Sequence, residues 1–310
     1  MRYSNPVTAS ILNTFVGNTR AEEKTKMCNK EQIDFYFDFA VNLIKKCGKL
    51  ICEAKNITIE TKKEEWDLVT QYDRKVEKVL IGTIKEKFPN HKFISEEDSS
   101  DNGYIPNLTD DPTWIIDPID GTANFVRNLP ITCISVGFVV KKEQTIGIIY
   151  NPFLNEMYTA IKGRGAFLNG KRISTSKQED IGRTLFNYEL SLARSEEYRD
   201  MYLYRLKHLI GKIQGIRSMG CAALGLCYVA NGTMDAYQCD GLYPWDAAAG
   251  VLIVREAGGY VCDSTGGEFN LMNPNFIATS TKVLGEQFVT AERKADEERL
   301  NNQCPRINGN

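Results

Sequence analysis

Histidine is almost missing from this chain: His91 and His208 are the only two among 310 residues. A zinc centre rich in imidazole, or a serine–histidine–aspartate engine, would need both of them placed by coincidence, so chemistry is left to carboxylates. The nine cysteines (Cys28, Cys47, Cys52, Cys133, Cys221, Cys227, Cys239, Cys262 and Cys304) contain no CxxC pair and no disulfide-like rhythm. An odd, irregular set reads as reduced thiols in a cytoplasmic protein. Basic clusters with interleaved aromatics are also missing, and the formal net charge is −2. No nucleic-acid partner is expected, because phosphate-backbone binding needs concentrated Lys and Arg. The first residues offer only a short apolar run, Ile11 to Val16, broken by Asn13. Neither a secretory signal nor a membrane role is expected.

No internal repeat or low-complexity linker interrupts residues 32–295, and 42% apolar residues supply a large core. A single catalytic domain over 31–295 follows. Residues 1–30 are polar, mixed in charge and aperiodic, and are expected to be a flexible extension; 296–310 are expected to be a polar tail. Apolar positions Ile33, Phe37, Ala40, Leu43, Ile44 and Cys47 recur at helical spacing, which predicts a helix over Lys30–Ala54, and a second is expected from Tyr72 to Phe88. Strands are predicted at Ile131–Val140, Gly147–Tyr150, Glu156–Ile161 and Ala166–Leu168, with Asn169-Gly170 as a hairpin turn. Such close spacing favours an antiparallel sheet. Further helices are predicted over Ser195–Ile210 and Cys221–Ala230, and from Asp246 to Gly258. Periodicity alone thus gives a mixed α and β fold.

The densest chemistry lies in Trp114-Ile-Ile-Asp-Pro-Ile-Asp-Gly-Thr-Ala-Asn-Phe125. Trp114 to Ile116 reads as a buried strand from whose end Asp117 emerges; Pro118 is expected to stop the ladder, and Gly121 to permit a tight turn into a short helix opened by Thr122. By itself Asp-Gly-Thr is an ordinary turn with a helix cap. Two further strings change its meaning: Phe93-Ile-Ser-Glu-Glu-Asp98, and Tyr243-Pro-Trp-Asp-Ala-Ala-Ala-Gly250 continuing to Gly259. Asp246 alone would be read as a helix cap, Glu97 and Asp98 as solvent-facing charges, and Asp73 as a surface charge on its helix. Each string, however, places a carboxylate where an apolar element ends.

Together with Asp67-Leu-Val-Thr-Gln-Tyr-Asp73 and Gly163-Arg-Gly-Ala-Phe-Leu-Asn-Gly170, these strings resemble the inositol monophosphatase family of magnesium-dependent, lithium-sensitive phosphatases over about residues 32–295. The resemblance implies a five-layer αβαβα sandwich of the sugar-phosphatase type, usually a homodimer. It implies one metal ion on Glu96, Asp117 and the carbonyl of Ile119, a second on Asp117, Asp120 and Asp246, and a third near Glu96 and Asp73. The ions would be Mg²⁺, with Mn²⁺ the other hard cation that suits oxygen-only ligands. Carboxylates about 4 to 5 Å apart repel by about 3–4 kcal/mol per pair at an effective dielectric near 20, so cations or protons must relieve them. Thr122, with Asp73 as acidic partner, would orient a metal-activated water for in-line displacement without a phosphoenzyme. The aspartyl-phosphate phosphatases have a similar DxDGT string, but with their aspartates two positions apart; Asp117 and Asp120 are three apart.

On the substrate side the resemblance assigns Asp120, Gly121, Thr122, Gly220, Cys221, Ala222 and Asp246. Inositol-specific members carry a glutamate about seven residues before the last metal aspartate; this chain has Cys239 there, followed by Asp240. A thiol is a weak hydrogen-bond partner, so polyol recognition would pass to Asp240. The expected substrate is inositol monophosphate. Another sugar, polyol or nucleotide monophosphate, or non-catalytic binding of an inositol phosphate, are the alternatives. Lys62 is expected to balance the acidic cluster.

Overall fold

The computed structural model describes residues 29–62, 65 and 67–303. Asn29 opens α1 (Lys30–Cys52) through a capping box, its side chain accepting from the Gln32 amide while Gln32 reaches back. The hairpin β1 (Ile59–Thr61) and β2 (Leu68–Thr70) leads into α2 (Gln71–Lys87). Then follow β3 (Lys92–Ser95), α3 (Glu96–Asn102), β4 (Thr113–Asp120), α4 (Thr122–Val126), β5 (Cys133–Val140), β6 (Glu143–Asn151), β7 (Glu156–Ile161), β8 (Ala166–Leu168) and β9 (Lys171–Arg172). The second half runs β10 (Leu185–Tyr188), α5 (Glu196–Leu209), β11 (Gly215–Arg217), α6 (Ala222–Ala230), β12 (Ala236–Cys239), α7 (Pro244–Glu256), β13 (Tyr260–Cys262), β14 (Phe276–Thr279) and α8 (Lys282–Gln303).

The strands β3 to β9 form one seven-stranded sheet in sequence order, antiparallel except for the parallel pair β3–β4. The turn between β8 and β9 holds Asn169 and Gly170 at φ of 50° and 77°, the left-handed pair that a tight hairpin needs. A second sheet, ordered β11-β10-β12-β14-β13, mixes parallel and antiparallel pairs.

Strand alternation sorts the first sheet's side chains. Trp114, Ile116, Ile134, Val136, Phe138, Ile146 and Ile148 pack with the buried stripes of α1 and α2. From the opposite face Cys133, Ile149, Tyr158 and Ala160 meet α6 and α7, which lie buried between the two sheets. Gly147 lets α7 approach closely, since a β-carbon there would stand 2.6 Å from the Ala249 carbonyl oxygen. On the far side of the second sheet, Phe186 and Tyr188 pack against Tyr202 of α5 and Phe288 of α8. The order helix pair, sheet, helix pair, sheet, helix pair is the five-layer αβαβα sandwich.

The element boundaries differ from the sequence expectations mainly at ends. α8 continues to Gln303, so the first part of the expected polar tail is helical, and its Asp296 pairs with Arg205 at 2.8 Å. The expected N-terminal extension lies, except for Asn29 and Lys30, outside the described residues. No helix among the described residues is long and apolar enough to cross a membrane.

Candidate active site

Ser95 and Ile116 are register partners in the parallel pair β3–β4, so the next residues, Glu96 just past the end of β3 and Asp117 still within β4, stand at the same level. Asp117 and Asp120 are three positions apart, and in a regular strand they would point to opposite faces. A register shift against β5 falls between them and turns both carboxylates to one side. Pro118 does not end β4, as the sequence suggested: the strand continues to Asp120, because Pro118 sits inside this irregularity and has no ladder partner to lose.

Gly121 follows at φ 82°, and a β-carbon there would stand 2.9 Å from the Ile131 carbonyl oxygen. Only glycine meets both conditions without strain. The turn sets Thr122 at the start of α4, where its hydroxyl lies 3.0 Å from the Ile119 carbonyl oxygen and 3.2 Å from Asp73 Oδ1. Asp73 is itself fixed by helix capping. As third residue of α2 it accepts from the Thr70 amide at 2.8 Å, which turns a fully buried carboxylate toward Thr122.

Asp246 arrives from the other half. α7 begins at Pro244, two residues before the expected start, and Asp246 Oδ2 accepts from the Tyr243 amide at 2.7 Å. Helix capping and membership of the acidic cluster are one geometry here. Asp117, Asp120 and Asp246 each offer a carboxylate oxygen within 4.8 Å of the others. Glu96 joins from one side, within hydrogen-bonding reach of Asp117 when one of the two carries a proton. Lys62 lies 2.7 Å from both Glu96 and Glu97 and answers part of the charge.

Burial drives Asp117, Asp120 and Asp246 above the usual carboxylate range; repulsion within the cluster adds to it at Asp117 and Asp246, whereas at Asp120 the hydrogen bonds from Cys221, Ala223 and Ala222 oppose it and Glu189 adds. Burial also raises Glu96, against the pull of Lys62. Asp73 is pushed up to about 6 by burial, with its hydrogen bonds to Thr70 opposing. Such a group cannot be fully ionised on its own. Its donors are all oxygen, close together and short of compensating charge, which fits hard divalent cations.

Cys221 and Ala222 do gather at Asp120, but they bind its carboxylate, while the Gly220 amide donates to Glu189. The Ala222 and Ala223 amides donate to Asp120 at 3.2 and 2.6 Å, and Cys221 Sγ lies 3.1 Å from Oδ2. The N-terminus of α6 is thereby pinned to the end of β4. Cys239 and Asp240 take no part in the cleft. Cys239 has no exposed surface and its sulfur meets the Tyr202 hydroxyl at 3.7 Å. Asp240 is turned toward α5, bound to Arg205 at 2.7 Å and to the Ser264 hydroxyl at 3.0 Å. The expectation that Asp240 takes over substrate recognition is corrected: leaving Arg205 would strand a buried guanidinium.

Sequence reasoning missed two carboxylates that hold the site in shape. Glu77, one helical turn beyond Asp73, accepts from the Glu97 and Asp98 amides at 2.9 and 2.8 Å and so fixes the start of α3. The i, i+4 spacing from Asp73 was a legible signal. Glu189 accepts from the amides of Met219 and Gly220 at 3.0 Å each and from the Ser218 hydroxyl at 3.1 Å, ordering the loop before Cys221. Nothing in its local sequence marks it. Both histidines are structural: His91 accepts from the Trp114 indole at 2.9 Å, and His208 lies 2.7 Å from Glu298.

A profile of the inositol monophosphatase family matches residues 32–297. Inositol monophosphatase 1 of Homo sapiens is 47% identical over 253 residues, covering 81% of this chain and 91% of its own. Inositol monophosphatase 3 of Solanum lycopersicum is 40% identical, covering 86% and 99%. Among solved structures, the Thermotoga maritima IMPase superposes with a TM-score of 0.76 at 33% identity, covering 86% of this chain and 99% of its own.

Proposed function

Since the chain belongs to the inositol monophosphatase family, it is a phosphoric monoester hydrolase, and we propose that it hydrolyses inositol monophosphate to inositol and phosphate with Mg²⁺ as cofactor. The observation that carries this reading is the approach of Asp117, Asp120 and Asp246 to within 4.8 Å, at the junction of β4 with the helices α4, α6 and α7.

In this reading Glu96, Asp117 and the Ile119 carbonyl would hold one ion, Asp117, Asp120 and Asp246 would hold a second, and a third would sit near Glu96 and Asp73, mostly through water. When bound, such ions neutralise phosphate charge and make a water more acidic. The chain does the rest. Thr122 donates its hydroxyl proton to Asp73, which leaves its oxygen lone pairs to accept from the attacking water and aim it. Asp73, raised to about 6, has a proton affinity close to the working range. Amides of the Gly121–Thr122 turn are the donors assigned to the phosphate oxygens. Water attacks phosphorus in line, the bond from phosphorus to the alcohol oxygen breaks, and that oxygen takes a proton from water. No side chain becomes phosphorylated.

The same reading makes the protein a lithium-sensitive cytoplasmic homodimer. Cys47, Cys52, Cys133, Cys221, Cys227, Cys239 and Cys262 are unpaired, which suits a reducing compartment. Because Cys239 and Asp240 do not reach the cleft, a second reading, hydrolysis of another sugar or polyol phosphate, has a specific observation in its favour. Phosphate release from inositol, sugar, polyol and nucleotide monophosphates, with and without Mg²⁺, is the test. Inositol monophosphate should be fastest and release should require the ion. A different leading substrate would move the specificity, and binding without release would leave a non-catalytic binder.

A further inference from the structure

Asp120 faces two environments. On one side stand Asp117 and Asp246; on the other stand two thiols. Cys221 Sγ lies 3.1 Å from Asp120 Oδ2 and 3.7 Å from Cys133 Sγ, and the ligand atoms of these three buried residues all fall within 4.8 Å of one another. None of them sits on a loose segment. Cys133 is the ladder partner of Asp120 across β4 and β5, and Cys221 is the N-cap of α6, whose following amides bind the Asp120 carboxylate.

The spacing is that of a coordination sphere. Two sulfurs bound tetrahedrally to zinc, each at about 2.3 Å, are about 3.8 Å apart. The observed sulfur separation is 3.7 Å, so both thiols can become ligands with hardly any movement. Two sulfurs and one oxygen select soft cations, whereas the neighbouring carboxylates offer only oxygen. We propose that Cys133, Cys221 and Asp120 form a site for a thiophilic divalent cation of the Zn²⁺ or Cd²⁺ class, and that filling it withdraws Asp120 from the hard-cation cluster.

Binding releases the two thiol protons to solvent and leaves the ion on two thiolates and the Asp120 carboxylate. The protein is thereby inhibited by trace soft metal even when Mg²⁺ is plentiful. That consequence rests on the phosphatase reading; the binding site does not.

Cd²⁺ titrated into the full-length, reduced protein gives the test, followed both by ultraviolet sulfur-to-cadmium charge-transfer absorption and by phosphate release at saturating Mg²⁺. The wild type should show the absorption and lose activity. Cys133→Ala should keep its Mg²⁺-supported activity, lose the absorption, and need at least about 10-fold more Cd²⁺ for half inhibition, as expected on losing one thiolate ligand. Cys133→Ser, which keeps the size of the side chain, should behave alike and covers the case in which alanine disturbs the core. Absorption and inhibition that persist in both variants would assign them to other thiols and overturn the site. Absorption that disappears while inhibition stays would overturn the competition at Asp120. Should no substrate be turned over at all, the absorption alone still decides whether the site exists.

Discussion

The Thr122 hydroxyl lies 3.2 Å from Asp73 Oδ1, across 49 positions of sequence. Two local devices create this contact: the capping box that turns Asp73 inward at the start of α2, and the left-handed Gly121 that sets Thr122 at the start of α4. If Thr122 aims the water and Asp73 holds Thr122, both act on the chemical step and neither on substrate affinity. Thr122→Ala and Asp73→Asn should each lower kcat by about 10²- to 10⁴-fold with KM nearly unchanged. Thr122→Ser should recover most of the loss. Steady-state kinetics on all three variants checks this, and a loss confined to KM would move the pair from water positioning to substrate binding.

Asp120 is held by the amides of Ala222 and Ala223, so the two halves of the site meet on its carboxylate. The two amides donate to different oxygens, so an asparagine accepts from only one of them, sets its NH2 against the other donor and loses the charge that answers a cation. Asp120→Asn should stay folded with a melting temperature lowered by no more than a few degrees, and lose at least about 100-fold in kcat, with a weakened apparent Mg²⁺ affinity. Wild-type turnover in this variant would remove the paired-cation proposal.

Much of this site was legible because its residues sit on short, continuous strings whose local structure is set by local chemistry. Trp114 to Thr122 carries its own strand, glycine turn and helix start, and the capping position of Asp246 follows from Tyr243-Pro244 ahead of it. Two kinds of feature stayed hidden. One is irregularity: Pro118 reads as a terminator, yet a register shift absorbs it and decides that Asp117 and Asp120 share a side. The other is long-range partnership. That Arg205 claims Asp240, and that Glu189 orders the loop at Gly220, depends on contacts 35 and 31 positions apart that no local pattern records. The layered fold was readable only as a mixed α and β pattern; the family resemblance supplied its order.

Cys239 occupies the place where a carboxylate would recognise a polyol, but its side chain is fully buried on β12 beside Tyr202. Cys239→Glu therefore introduces a charge into the core. It should destabilise the protein by more than about 3 kcal/mol and should not speed inositol phosphate turnover. Thermal unfolding and the rate on inositol monophosphate are the two readouts. A stable variant with a higher rate would return this position to the substrate.

Arg205 lies among three acids, at 2.7 Å from Asp240, 3.1 Å from Glu292 and 2.8 Å from Asp296. Asp296 is partly exposed and also faces Arg299, but Asp240 and Glu292 are buried and share the one guanidinium, and Glu292 has no exposed surface. Burial pushes the Glu292 carboxyl up from 4.5 to about 8, Arg205 opposing and Asp240 adding to it. A folded pKa above the unfolded one means that the native state binds more protons between these values, so stability falls as pH rises across that window. Glu292→Gln removes this group from the balance. Near pH 4.5 the variant and the wild type should melt alike; above it the variant should become progressively more stable, the gap reaching its full size by about pH 8 and then staying constant. Differential scanning calorimetry at matched pH values measures the gap directly, because the other titrating groups are common to both proteins. A gap that is flat from pH 4.5 to 9, or that widens toward acid, would show Glu292 to be ionised in the native state and Arg205 to compensate it fully.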